Sequence, residues 1–147
     1  MNLLYISISG NTRAFVNRLQ TYAADQATEN TWSIKEIHDN SPLAAETQPY
    51  VAFVPTYLEG GNGVDNGDQE ILTETLRDYI DFGDNAKHCL GVIGSGNKNF
   101  NYQYCLTAKQ YAAQFNVPFL ADFELRGTNQ DIERIYQVLQ EIEPKSV

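Results

Sequence analysis

Two rhythms of apolar spacing alternate along this chain. Residues 3–8 (LLYISI) are a short apolar run ending in Ser-Gly-Asn-Thr, which predicts a buried strand entering a turn. Phe15, Leu19, Tyr22 and Ala23 then recur at the spacing that lines one helix face. Residues 32–37 (WSIKEI) alternate apolar and polar, the mark of a half-buried edge strand. Residues 38–49 hold two prolines and only a short Leu-Ala-Ala stretch, so a loop with at most a turn of helix is expected. Residues 50–56 (YVAFVPT) are apolar almost throughout, as a central parallel strand covered on both faces would be.

The second half repeats the alternation. Leu72, Leu76, Tyr79 and Ile80 predict a helix, and residues 89–93 a buried strand closed by Gly94-Ser95-Gly96-Asn97. Ala108, Tyr111, Ala112 and Phe115 predict a third helix. A last strand is expected from Val117-Pro118 through Leu125. Thr128, with Asp131 three residues on, caps a fourth helix whose Ile132, Ile135, Tyr136 and Leu139 face the core. Strands alternating with helices imply a parallel sheet covered on both faces, and right-handed crossovers narrow the choice to a doubly wound α/β fold. With no internal repeat or linker, residues 1–147 read as one five-stranded domain.

Composition changes this picture in two respects. The formal net charge of −9 argues against nucleic acid or an anionic membrane as the main partner. The two cysteines, Cys89 and Cys105, in a chain long enough to build a core read as reduced thiols and a cytoplasmic setting. The first residues lack the basic region of a signal peptide, and the apolar run after them is too short to span a bilayer.

In a doubly wound sheet ligands bind beyond the carboxyl ends of the strands, so the chemistry is sought in the loops that follow them. After the first strand, Ser7, Ser9 and Thr12 supply hydroxyls, Asn11 an amide and Gly10 a turn, just before a helix N-terminus that favours an anion. A helix cap needs one such residue; this density points to a phosphate cradle. After the third strand, Pro55-Thr56-Tyr57 lead into a glycine-rich stretch, residues 58–67, that includes Gly60 and Gly61. Such glycines let backbone approach a flat ligand, although alone the stretch reads as an Asn-Gly surface turn. After the fourth strand come Ser95, Gly96, Asn97, Asn99 and Phe100, with Tyr104 and Cys105 a turn later. An aromatic side chain over a planar ring contributes about 0.5–1.5 kcal/mol beyond its buried area; Tyr104 reads equally as core.

Other nucleotide motifs are missing. Gly94-Ser95-Gly96 starts a G-x-G-x-x-G pattern, but Asn99 breaks it and it follows the fourth strand instead of the first. No P-loop occurs, Pro55-Thr56 stand where a receiver domain would place its aspartate, and His38 and His88 lack metal-type spacing.

Three loops in this order resemble those of the flavodoxins, and within that superfamily the chain is similar to the NrdI family, the ribonucleotide-reductase-activating branch. The resemblance rests on S-x-S-G-N-T at residues 7–12, P-T-Y with glycines at 55–63, G-S-G-N-x-N-F at 94–100 and F-E-L-x-G-T at 123–128. It implies a flavodoxin-like sheet in the order 2-1-3-4-5 and FMN as cofactor. The phosphate would lie on Ser7, Ser9, Gly10, Asn11 and Thr12. The ring would lie between residues 57–63 and 97–100, with Phe100 in the stacking position. Tyr104-Cys105 match the Phe-Cys pair of many flavodoxins. Asn101 stands where many members carry glycine.

The family's role, by the same resemblance, is to supply oxidant made from dioxygen by reduced FMN to the dimanganese radical-generating subunit of class Ib ribonucleotide reductase. That makes the chain a redox accessory protein fed by an electron-donor protein, with no catalytic side chain of its own. The alternatives are an electron-carrier flavodoxin and a binding module without flavin. Gly60 and Gly61 are candidates for a peptide that reorients with the state of the flavin N5. Glu124 and Arg126, at the end of the last strand, read as partner contacts or as a surface ion pair.

Overall fold

The computed structural model describes residues 1–26, 32–58 and 70–144 of the chain. Its strands are β1 (Asn2–Tyr5), β2 (Ser33–Glu36), β3 (Tyr50–Pro55), β4 (Cys89–Gly96) and β5 (Phe119–Glu124). Its α-helices are α1 (Asn11–Gln26), α2 (Glu74–Asp81), α3 (Leu106–Phe115) and α4 (Asn129–Ile142), with short 3-10 turns at Asn85–His88 and Lys98–Gln103. The strands form one parallel sheet in the order β2-β1-β3-β4-β5, as the resemblance implied.

Alternation along the strands divides the core in two. Leu3, Tyr5, Val51, Phe53, Ile93 and Phe123 face one side, where Phe15, Val16 and Leu19 of α1 and Ile132, Ile135 and Leu139 of α4 cover them. Leu4, Ile6, Ala52, Val54 and Val92 face the other, under Leu76, Tyr79 and Ile80 of α2 and Ala108 and Tyr111 of α3. Each buried Leu, Ile, Val or Phe contributes about 1.5–3 kcal/mol of transfer free energy, which is why β3, buried at every residue, sits at the centre.

Three sequence expectations need correction. β4 does not stop at Ile93: Gly94, Ser95 and Gly96 remain paired with β3 and β5, because α3 packs so closely that a Cβ on Gly94 would stand 2.9 Å from those of Ala108 and Cys105. Leu72 is not on the α2 face; it is exposed with φ of 69°, turning the chain just before the helix begins. β1 ends at Tyr5, and Ile8 already stands exposed in the loop. The edge position of β2, the fully buried β3 and the capped α4 agree with the sequence reading. Cys89 and Cys105 are both buried and free. Burial pushes both thiols up, to about 11 and about 12, so neither is poised to react as thiolate. No helix among the described residues is long and apolar enough to cross a membrane.

Candidate functional site

The parallel sheet carries the loops after β1, β3, β4 and β5 to one edge. After β1 the chain turns through Gly10, whose φ of +93° is a left-handed value that L side chains rarely adopt. A Cβ built there would meet nothing within 4 Å, so the space beside Gly10 is open. The Arg13 N–H donates to Ser7 Oγ (3.2 Å) and the Ala14 N–H to the Gly10 carbonyl (3.0 Å), which fixes the start of α1. The N–H groups of Asn11 and Thr12, in the first turn of α1, have no carbonyl one turn back to bond. Hydroxyls, an amide and these N–H groups around an open turn form a donor set suited to a phosphoryl group, with no carboxylate among residues 7–12.

Arg13 does not join this set. Its Nε and Nη2 donate to the two carboxylate oxygens of Glu36 at 2.8 and 2.7 Å. That pairing, the largest influence on Glu36, holds its carboxyl below the usual range. The Tyr5 hydroxyl donates to Glu36 as well (3.0 Å), and burial together with that carboxylate raises the phenol to about 12.

The loop after β3 meets the cradle at Tyr57. Tyr57 OH and Ser9 Oγ lie 2.7 Å apart, and a serine hydroxyl can accept from the phenol while donating elsewhere. Pro55 is paired with Ser95, and the Thr56 N–H donates to the Ser95 carbonyl (3.0 Å). Leu58 bridges Glu70 antiparallel, and the Ile71 N–H donates to the Tyr57 carbonyl (2.9 Å). Glu70, itself buried, accepts from Tyr111 OH (2.6 Å) and Thr73 Oγ1 and pairs with Arg77 (3.0 Å), anchoring this stem to α2 and α3. Gly60 and Gly61 lie outside the described residues.

After β4, Asn97 Oδ1 accepts from the Asn99 N–H (2.9 Å) and caps the 3-10 turn that carries Phe100 outward, 61% exposed. Tyr104 donates to Asp122 Oδ1 (3.0 Å), and Lys98 Nζ stands 5.7 Å from its ring centre. Cys105 is fully buried at the α3 N-cap, its Cβ side against Gly94, so it supports this loop from beneath. Ser95, Gly96, Asn97, Asn99 and Phe100 thus come together at the sheet edge with Ser7 to Thr12, Thr56 and Tyr57. Ile8, Phe100, Tyr102 and Leu125, all exposed, give the edge an apolar rim.

A fourth loop completes the edge. Glu124 and Arg126 do not pair with each other: Glu124 accepts from the Lys98 N–H (2.9 Å), and Arg126 Nε donates to Asn11 Oδ1 (3.1 Å). The pairing joins residues 115 positions apart, and no local spacing announces it.

With this edge in view, the comparisons with known proteins decide the family. A model of the flavodoxin-like NrdI proteins matches residues 3–137. The chain belongs to the NrdI flavodoxin-like family. A NrdI-like protein of Streptococcus pyogenes serotype M18 is 58% identical over 141 residues, covering 95% of this chain and 91% of its own length. The protein NrdI of Bartonella tribocorum is 36% identical over 129 residues, covering 87% and 84%. Among solved structures, a Fusobacterium nucleatum flavodoxin mutant bound to flavin mononucleotide superposes with a TM-score of 0.61 at 13% identity, covering 96% of this chain and 93% of its own. That likeness is one of fold. The NrdI match takes in all four edge loops, so the loop chemistry described above lies within the family's own region of the chain.

Proposed function

We propose that this NrdI-family chain binds FMN at the carboxyl edge of its sheet and, once reduced, supplies oxidant to the dimanganese subunit of a class Ib ribonucleotide reductase. The observation that carries the reading is the open donor cradle at Gly10 standing beside the exposed Phe100, a phosphate site and an aromatic platform on adjoining loops. Bound FMN would supply one- or two-electron redox chemistry, able to reduce dioxygen to superoxide by one electron or to peroxide by two.

The residues of the chain bind, orient and expose it. Ser7, Ser9, Asn11 and Thr12, with the α1 N–H groups, hold the phosphate. Gly10 supplies the left-handed turn that L side chains rarely adopt. Thr56, Tyr57 and Ser95 to Asn99 line the approach to the ring, and Phe100 stacks on it. Gly60 and Gly61 are the candidates for a peptide that would respond to the state of the flavin N5. The apolar rim of Ile8, Phe100, Tyr102 and Leu125 gives a protein partner a surface next to the flavin, of the kind that large exposed apolar side chains mark. A separate electron-donor protein supplies the reducing equivalents.

The test has two arms. Purified protein is expected to release FMN on acid treatment and to bleach in an anaerobic reductive titration; a chain that stays colourless after reconstitution with FMN overturns the cofactor. Mixing the reduced protein with a manganese-loaded radical subunit and air is expected to produce a tyrosyl radical signal by electron paramagnetic resonance. FMN binding with electron delivery but no radical would make the chain a general electron carrier.

A further inference from the structure

We propose that Arg126 selects for the phosphorylated flavin: it orients the Asn11 amide in the cradle and sets a guanidinium charge beside the phosphate. The inference rests on the FMN reading above and assigns a specificity role to a residue of the fourth loop.

The geometry at Asn11 is chemically unambiguous. Arg126 Nε–H can only donate, so the atom of Asn11 that it meets at 3.1 Å must be the amide oxygen. The Asn11 NH2 is thereby turned away from Arg126, in the first residue of α1, where donors serve an anion. The base of the arginine is equally fixed. Arg18 Nη1 donates to the Arg126 carbonyl (2.8 Å) and the Gly127 carbonyl (3.3 Å), and Arg18 Nη2 to Asn129 Oδ1 (3.1 Å). The Leu125 N–H donates to the Gly96 carbonyl (3.0 Å), and Gly127, at φ of +70°, lies so close to Phe15 that a Cβ would come within 2.6 Å of its ring.

The neighbouring cations are already committed. Arg13 is held by both oxygens of Glu36, Arg18 by the carbonyls just named, and Lys98 lies over the Tyr104 ring. Among the described residues the two terminal nitrogens of Arg126 have no hydrogen-bond partner, and no carboxylate pairs with the guanidinium. A planar fork of donors is the group best matched to phosphate oxygens, and on a chain of net charge −9 a local cation offsets the repulsion a dianion meets. Riboflavin carries no such charge and gains nothing from the residue.

The experiment compares FMN and riboflavin dissociation constants, read from flavin fluorescence, for the native chain and for Arg126→Ala, Arg126→Gln and Arg126→Lys. The two neutral variants are expected to weaken FMN about tenfold, the scale of one charge-assisted hydrogen bond, and to leave riboflavin within about twofold. Arg126→Lys is expected to recover part of the loss through its charge. Arg126 is exposed, so the variants should melt within about 2 °C of the native chain. Equal weakening of both flavins would show a merely structural role, and unchanged FMN affinity in Arg126→Ala would refute the proposal while leaving the FMN reading intact. A native chain that binds neither flavin removes both.

Discussion

Asn101 shows how a single residue carries strain at this edge. It interrupts the 3-10 turn with φ of 54° and ψ of −121°, a backbone shape that favours glycine. Its place was legible, since the resemblance sets a glycine after the aromatic; its conformation was not, because a sequence names the residue and not the dihedral. Asn101→Gly is expected to stabilise the fold by about 1 kcal/mol, read by urea denaturation. A less stable variant would mean that the asparagine side chain itself holds the turn. Ser7 to Thr12 were equally legible, being contiguous, with their meaning in local turn and helix chemistry. Arg126 was not: its partner Asn11 is distant in the chain, and only the loop after β5, held against α1 by Arg18, brings the two together.

At the scale of elements, legibility followed locality. Thr128 accepts from the Asp131 N–H (3.1 Å) while Asp131 Oδ2 accepts from the Thr128 N–H (2.8 Å), the reciprocal cap that the spacing announced. Thr128→Ala should cost about 1 kcal/mol in chemical denaturation, and Thr128→Ser should restore most of it. An alanine variant as stable as the native chain would show that packing of Ile132 to Leu139 alone holds α4. The end of β4 was misread for the opposite reason. Two glycines close together look like a strand terminus, but Val54 and Asp122 pair with Gly94 and Glu124 with Gly96, and α3 needs the space that their missing side chains leave. Leu72 fits the apolar spacing of α2, yet the bridge between Leu58 and Glu70 fixes the chain just before it and sends it out to solvent.

The whole molecule is built unequally at its two ends. Opposite the candidate site, a buried Glu46, its side chain 4% exposed, accepts from Tyr79 OH and from Lys35 Nζ (2.9 Å), while Asn85 Oδ1 accepts from the Glu46 N–H (2.7 Å). These contacts tie residues 44–46 to α2 and to the 3-10 turn after it. Burial opposes ionisation of Glu46, but the hydrogen bonds from Tyr79 and Lys35 outweigh it and hold the carboxyl below its usual range. Because the folded value lies below the unfolded one, the unfolded chain binds more protons between them. The stabilisation is therefore whole above about pH 4.3 and fades as pH falls through the folded value. Glu46→Gln should cost about 1–3 kcal/mol at neutral pH, nearer the lower figure because Lys35 is half exposed, and should make melting temperature less sensitive to acid below pH about 4.3. A variant with the native acid slope would place the sensitivity at Glu36 or Asp131, whose carboxyls are also held low. This network was invisible in the sequence, where Lys35, Glu46, Tyr79 and Asn85 belong to four separate segments.

The reach of Arg126 back to Asn11 also orders events in time. At synthesis rates of about 5–20 residues per second, the 115 positions between them separate their appearance by roughly 6–23 s. For that interval the Ser-Gly-Asn-Thr turn exists without the arginine that donates to its asparagine. Phe15 likewise waits for Phe123, on which its ring stacks at 3.7 Å, and for Gly127. This corner of the carboxyl edge, written almost entirely in one short early stretch, is thus among the last parts of the protein to be finished on the ribosome.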